Sequence, residues 1–277
     1  NIYTPMLDPY LVFVGGVRLE GDSEFGSQTV PRLAFRLDPV KSLALRASVG
    51  SGYRAPTFRE LYLRFDNPSV GYTVRGNDNL DPERSLSYQA SADWSVTQHL
   101  NWHISGFRND IEGLIDFQLT DPSMGDDELD LYQLTNIADA YTQGVEVEVG
   151  YRIWPVLELR TGYQRLDARD LSADRPLSGR HRHQANAVVN VREPRHGLSS
   201  NTALVWTGER PFYRPNEEGD DTRLIADAYL NLAVNLGWRF HEHFRVSVRG
   251  ENLLDEGDKV FLSQRPRRFV LAVTANI

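Results

Sequence analysis

Across residues 224–240 the chain changes character at every step. Leu224, Ala226, Ala228, Leu230, Leu232, Val234, Leu236, Trp238 and Phe240 are apolar, and Asp227, Asn231, Asn235, Gly237 and Arg239 are among the mostly polar residues between them. Successive side chains of a β-strand point to opposite faces, so the pattern predicts one strand with an apolar face and a wetted face. The run is about twice as long as an ordinary globular strand. A long strand of a soluble sandwich is the plainer reading. A strand with lipid on one side and water on the other fits the length better.

Similar alternation recurs over residues 43–50, 86–96, 145–153, 185–192 and 268–277. Glu146 and Glu148 share one face of one such strand, which a solvated wall tolerates and a dry core does not. Short connectors (residues 38–41, 97–99, 155–156, 193–196 and 241–243) alternate with long ones near 54–84, 120–131, 170–181, 209–222 and 255–265, plus a shorter one near 20–27. That alternation belongs to an antiparallel up-and-down transmembrane β-barrel, all-β, with about 12 strands over a single domain 1–277. Trp94, Trp154, Trp238, Phe240 and Phe244 stand beside short connectors, where an interfacial aromatic girdle is expected. The last strand keeps alternating to the end, with Phe269 and Ile277 on one face, and such an edge is hazardous unless it is closed.

No stretch of about eighteen apolar residues exists, so no transmembrane helix is expected, which leaves a barrel open. A net charge of -8 argues against nucleic acid. With no cysteine, disulfides and thiolate metal sites are excluded. The opening NIYTPMLDPY shows no signal peptide and reads as an internal cut.

Gly50-Ser51-Gly52-Tyr53-Arg54-Ala55-Pro56, Glu60-Leu61-Tyr62 and then Gly76-Asn77-Asp78-Asn79-Leu80-Asp81-Pro82-Glu83 follow one another between two strands. This pair of boxes resembles those of TonB-dependent outer-membrane receptors. Asn136-Ile137-Ala138 leading to Gly144-Val145-Glu146, Gly250-Glu251-Asn252-Leu253-Leu254-Asp255 and Pro266-Arg267-Arg268-Phe269 resemble further boxes of that family, in the same order. The family's barrel has roughly 22 strands and is preceded by a plug domain, so the resemblance implies the C-terminal part of such a barrel, with plug and early strands absent. A chain of this kind standing alone is expected to close, because open edges in lipid cannot be satisfied.

The resemblance implies uptake of a metal chelate or cofactor, a siderophore first, in the bacterial outer membrane. Lipid and lipopolysaccharide are the implied surroundings, and TonB is reached only through the missing plug. A shortened or engineered barrel acting as a passive pore or scaffold is the alternative, and an outer-membrane lipase is a third. No serine has a nucleophile context, so the chain reads as no enzyme. Pro56 can end ladder pairing; Asn77, Asn79 and Pro82 form turns; Arg54 and Glu83 can pair across the mouth. The structural boxes are therefore Tyr53, Arg54, Ala55, Pro56, Asn77, Asn79, Leu80, Pro82, Glu83 and Asn252.

Arg59, Arg64, Tyr72, Arg75, Arg210, Tyr213 and Arg214 offer loop cations and aromatics to an anionic chelate. Haem-transporting members carry a ligand histidine between the two boxes. Residues 57–76 hold none, and Tyr62 and Tyr72 are their tyrosines. His181 and His183, two apart on an expected strand, read as a metal pair or, more simply, as its polar start. Asp121, Asp126, Asp127, Glu128 and Asp130, and Glu217, Glu218, Asp220 and Asp221, read as solvated charge runs that can also hold Ca²⁺. No other cofactor is expected.

Overall fold

A computed structural model describes residues 10–68, 71–121, 130–137, 139–215, 221–257 and 266–275. In chain order the elements are β1 (Tyr10–Asp22), β2 (Gly26–Val40), β3 (Leu43–Arg54), α1 (Phe58–Tyr62), β4 (Arg64–Asn67), β5 (Tyr72–Arg75), β6 (Glu83–Ser95) and β7 (Leu100–Glu112). Next come β8 (Ile115–Asp121), β9 (Asp130–Asn136), β10 (Ala140–Trp154), β11 (Leu157–Asp170), β12 (Arg175–Pro176), β13 (His183–Glu193) and β14 (Leu198–Thr207). The chain ends with β15 (Arg210–Pro215), β16 (Asp221–Ala226), β17 (Tyr229–His241), β18 (Phe244–Glu251) and β19 (Arg268–Ala275).

Twelve strands form one wall in the order β1-β2-β3-β6-β7-β10-β11-β13-β14-β17-β18-β19, every pair antiparallel, with β12 attached to β11. This is the up-and-down order expected from the connectors. The wall is open: among the described residues β1 and β19 are its two ends and do not pair with each other, contrary to the expected closure.

Register carries the apolar rows across the wall. Phe13 lies opposite Phe35, Leu33 opposite Val49, Val49 opposite Tyr88, Trp94 opposite Trp102, Ile104 opposite Val147, and Val248 opposite Leu271. This face is exposed, with Val17 at 66% and Leu271 at 69%, and the apolar rows do not pack against one another in a dry interior. The opposite face is polar. Arg36 lies opposite Arg46, His103 opposite Glu148, Glu146 opposite Gln164, and Asn201 opposite Asn235. Arg46 and His103 both pair with Asp93, and Gln164 donates to Glu146. The wall is therefore amphipathic through its thickness, as the period of two demands.

One expectation fails. Residues 224–240 are two strands, not one: β16 ends at Ala226 and belongs to the separate hairpin β15–β16, and only β17 enters the wall. The alternation keeps its phase through Asp227 and Ala228, so periodicity alone does not mark the break.

At the short-turn end Trp94, Trp154, Trp238, Phe240 and Phe244 are all exposed, and Phe240 stacks on Phe244 with centroids 6.0 Å apart. Register shifts beside three of these turns, at Leu37/Val40, Arg152/Trp154 and Arg239/His241, end the ladder with bulges. Gly197, with φ 69°, turns β13 into β14 so close to the Arg239 carbonyl that no Cβ fits.

Candidate functional site

The long connectors fold into a cap of their own. β4, β5, β9 and β8 form a four-stranded sheet, with β5 and β9 parallel, so the connectors after β3 and β7 are joined. Beneath it lies a small hydrophobic core of Leu61, Leu80, Ile115 and Leu134, with Phe25 from the β1–β2 hairpin packed against it. Leu80 is only 2% exposed.

The two boxes build the base of this cap. β3 ends at Arg54, and Pro56, which is buried and has no N–H, carries the chain to α1. Thr57 caps α1 reciprocally. Its hydroxyl accepts from the Glu60 N–H at 3.3 Å, and the Glu60 carboxylate accepts from the Thr57 N–H at 2.7 Å. Arg54 then holds two carboxylates: its Nε and one terminal nitrogen donate to Glu83 at 2.6 and 2.7 Å, and the other donates to Glu60 at 2.8 and 2.9 Å. Glu83 also accepts from the Ile115 N–H at 2.8 Å, tying in the next connector. Desolvation alone would raise the Glu60 carboxyl. Hydrogen bonds from Thr57 and Arg54 outweigh it and hold Glu60 below the usual carboxylate range.

The second box docks on α1 through backbone. The Asn77 N–H donates to the Glu60 carbonyl at 2.9 Å, and the Gly76 N–H to the Leu63 carbonyl at 2.7 Å. A Cβ at Gly76 would stand 2.6 Å from the Leu61 backbone, so this approach needs glycine. The Asn77 side chain accepts from the Asn79 N–H at 2.9 Å, and Pro82 brings the chain to β6. Asn136, which in the sequence is one residue of a box and carries no signal of its own, clamps three points. It accepts from the Asp81 N–H at 2.8 Å and donates to the Asp81 and Gly113 carbonyls at 2.9 and 2.7 Å. Thr57 three residues before Glu60 is a capping signal that the sequence offered; a lone asparagine such as Asn136 offered none.

Tyr53 sits at the end of β3 with a buried hydroxyl, and Ala55 links β3 to the Pro56 turn. Asn252, 7% exposed and at φ 47°, turns the chain out of β18.

The candidate ligand residues fall into two groups, one on α1 and the β4–β5 hairpin and one on the β15–β16 hairpin, that share no sheet. Arg59 is exposed on α1, and Arg64 is exposed on β4 opposite Arg75. Arg75 is engaged by Asp66 at 2.6 Å. Tyr72 meets Tyr132 edge-on at 6.2 Å. In the other hairpin Arg210 is 4% exposed and lies over the Tyr229 ring, and Arg175 lies 4.1 Å over the Tyr213 ring. Arg214 is paired through its backbone with Thr222, and its side chain lies outside the described residues.

His181 precedes β13 rather than lying on it, so the expected strand pair of imidazoles does not form. His183 instead stacks on Tyr163 and hydrogen-bonds its hydroxyl at 2.7 Å. Among the described residues no group of three or more His, Asp or Glu is placed to hold a metal ion. Most of the two acidic runs, and Ile277, lie outside the described residues.

The family description "TonB dependent receptor-like, beta-barrel" matches residues 3–253. The chain belongs to the TonB-dependent receptors. It is similar to the vitamin B12 transporter BtuB of Vibrio vulnificus, 30% identical over 240 residues that make up 87% of this chain and 35% of that protein. The BtuB of Photobacterium profundum is 30% identical over 88% of this chain and 37% of its own length. This TonB-dependent receptor chain thus spans about a third of these curated relatives. Among solved structures, a mutant of the ferric enterobactin receptor PfeA of Pseudomonas aeruginosa superimposes with a TM-score of 0.76 at 19% identity, over 96% of this chain and 42% of that one. The siderophore receptor PirA of Acinetobacter baumannii gives 0.75 at 16%, over 98% and 44%. These two show the fold of the receptor wall.

Proposed function

We propose that this chain is the wall and outer cap of an outer-membrane receptor that takes up a metal chelate or metal-bearing cofactor. The observation that carries the reading is the Arg54–Glu60–Glu83 node. It fixes the connectors after β3 and β7 as one platform, and exposed Arg59 and Arg64 stand on that platform. Rigid elements below and charged groups above are what a selective loop site needs. The two open edges, unsatisfiable in lipid, pair with further strands of the same receptor. TonB acts through a plug domain elsewhere in that receptor.

Two cargoes fit. The loop arginines favour an anionic ferric siderophore. The names of the 30%-identical relatives favour a corrinoid. Cells expressing the whole receptor, with and without TonB, would be given radiolabelled cobalamin or a labelled ferric siderophore. TonB-dependent accumulation of either is expected. Replacing Arg59 and Arg64 by Gln lowers affinity for an anionic chelate about tenfold and leaves cobalamin little changed. A steady, TonB-independent conductance in planar bilayers would instead make the protein a passive pore.

A further inference from the structure

Past the outer ends of β11 and β14, beside the β15–β16 hairpin, lies a recess of about 510 Å³. Its lining holds no residue of α1, β4 or β5, so it is distinct from the platform that carries Arg59 and Arg64. Five arginines line it: Arg169 of β11, Arg180 and Arg182 before β13, Arg210 of β15 and Arg223 of β16. Arg169 is engaged by Asp174 at 3.4 Å, and Arg210 lies over the Tyr229 ring at 5.4 Å. Arg180, Arg182 and Arg223 form no ion pair among the described residues. Of the two lining carboxylates, Asp167 is taken by Tyr141 and Gln143, each at 3.1 Å, and Glu209 is exposed. Like charges gathered in a concavity repel one another unless an anion sits between them. In the same recess the Nε2 of His181 is buried and has no hydrogen-bond partner among the described residues. When that nitrogen carries the ring hydrogen it is a donor, and an oxyanion among the arginines is the acceptor that suits it.

The register narrows the ligand further. The Arg182 carbonyl accepts from the Leu166 N–H at 2.8 Å, and Leu166 stands two residues from Gln164 on the polar face of β11. Tyr229, beneath Arg210, lies opposite Thr207, on the row that continues through Gln184 to Gln164. Arg182 and Arg210 are therefore set on the wetted side of the wall, and a ligand reaches them from water. Forked guanidinium donors fit the paired oxygens of a tetrahedral oxyanion.

We infer that this recess binds a soluble oxyanion of the sulfate or phosphate type, gripped by Arg180, Arg182 and Arg223 and by a hydrogen bond from His181. The oxyanion is a free ion or the charged group of a larger soluble ligand, and the recognition is the same for both. Binding is coupled to a proton. His181 lies in the connector outside the wall strands, and burial, then the charges of Arg210 and Arg180, push its imidazole below the ordinary value. A bound dianion offsets those charges and favours the protonated ring, so the extra affinity is present at low pH and is lost as pH rises through the ligand-bound value of His181. The other groups around the ring are Arg169 and Asp167 of β11, Arg182, Glu209, Arg223 and His183, the last held by the Tyr163 hydroxyl at 2.7 Å.

The test titrates the whole receptor in mild detergent with sulfate, a dianion throughout the histidine range, and reads the heat of binding. Wild-type protein is expected to bind sulfate at least about threefold more tightly at pH 5.5 than at pH 7.5. The triple variant R180Q/R182Q/R223Q is expected to lose at least about tenfold in affinity, and R180K/R182K/R223K, which keeps the charge, to retain most of it. His181→Asn is expected to weaken binding at pH 5.5 and to flatten the pH profile. Wild-type binding no tighter than about 10 mM overturns the inference, as does undiminished affinity in the Gln variant. A His181→Asn profile as steep as the wild-type one overturns the part given to His181. If the Gln variant fails to fold, the wild-type titration and its pH profile decide, and an affinity that does not rise at pH 5.5 counts against the site. Two further arms, both consistent with the site, separate the sources: labelled cobalamin or ferric siderophore that competes with sulfate puts the oxyanion on the cargo, and sulfate binding unaffected by saturating cargo makes it a free ion. Sulfate is read without transport, so a failure of the uptake reading is distinguishable from a failure of the recess.

Discussion

The wall and the cap solve the same problem by opposite means. The wall is held by a ladder of backbone hydrogen bonds and leaves residues such as Val17 and Leu271 about two-thirds exposed. Its apolar face is complete only in lipid. The cap encloses its own apolar cluster at Leu61, Leu80, Ile115 and Leu134, and stitches two connectors together with one arginine and one asparagine. The wall therefore takes its stability from the solvent around it, whereas the cap carries its own. On the proposed reading of the chain as part of a receptor, the second arrangement suits the cap, because a part that meets cargo must hold its shape in water.

The largest test of this contrast is Leu80→Ala. It removes a side chain that is 2% exposed from a cluster of four, and the cavity should cost about 3 kcal/mol. Hydrogen exchange in the cap, over residues 58–82 and 113–136, should quicken roughly a hundredfold while wall amides keep their rates. Equal acceleration in both regions would show that they unfold together and break the comparison.

The second test loads the wall. Val145 lies on the apolar face near the middle of β10 and is 51% exposed. Val145→Arg places a charge in lipid and should cost roughly 2–4 kcal/mol. Glu148→Arg, three residues on and facing the polar side opposite His103, should change stability by less than about 0.5 kcal/mol. Denaturant midpoints in phospholipid vesicles read both, and similar costs at the two positions would contradict the assignment of faces.

The difference between wall and cap also governs what the sequence makes legible. Period-two alternation is set by the backbone, so the wall strands and their order can be read before any contact is known. The same locality hides the break at Asp227 and Ala228, where phase persists although β16 leaves the wall and joins a separate hairpin. In the cap, opposite charges in neighbouring boxes foretell the Arg54–Glu83 pair, and that pair forms. Asn136 acts across 55 residues onto Asp81. The recess near His181 draws its arginines from β11, β15, β16 and one connector, and of its lining residues the sequence marks only Arg210, His181 and His183.

The smallest expected effect is a pH dependence confined to the cap. Glu60 is held below the ordinary glutamate value by Thr57 and Arg54 despite its burial. A carboxyl depressed in the folded state contributes stability that is fully present above its unfolded value and is lost as pH falls through the folded one. Cap protection, taken after correcting exchange for its intrinsic pH dependence, should therefore stay flat from neutral pH down to the ordinary glutamate range and fall below it, with wall protection unaffected. Arg54, Thr57 and Glu83 are the polar groups around this carboxylate. Glu60→Gln removes the titration and one of the two partners of Arg54, so its cap should be looser at neutral pH and show a shallower acid response. A variant with the wild-type slope would mean that the acid sensitivity of the cap comes from elsewhere, and that the node fixes geometry without setting the pH at which the platform loosens.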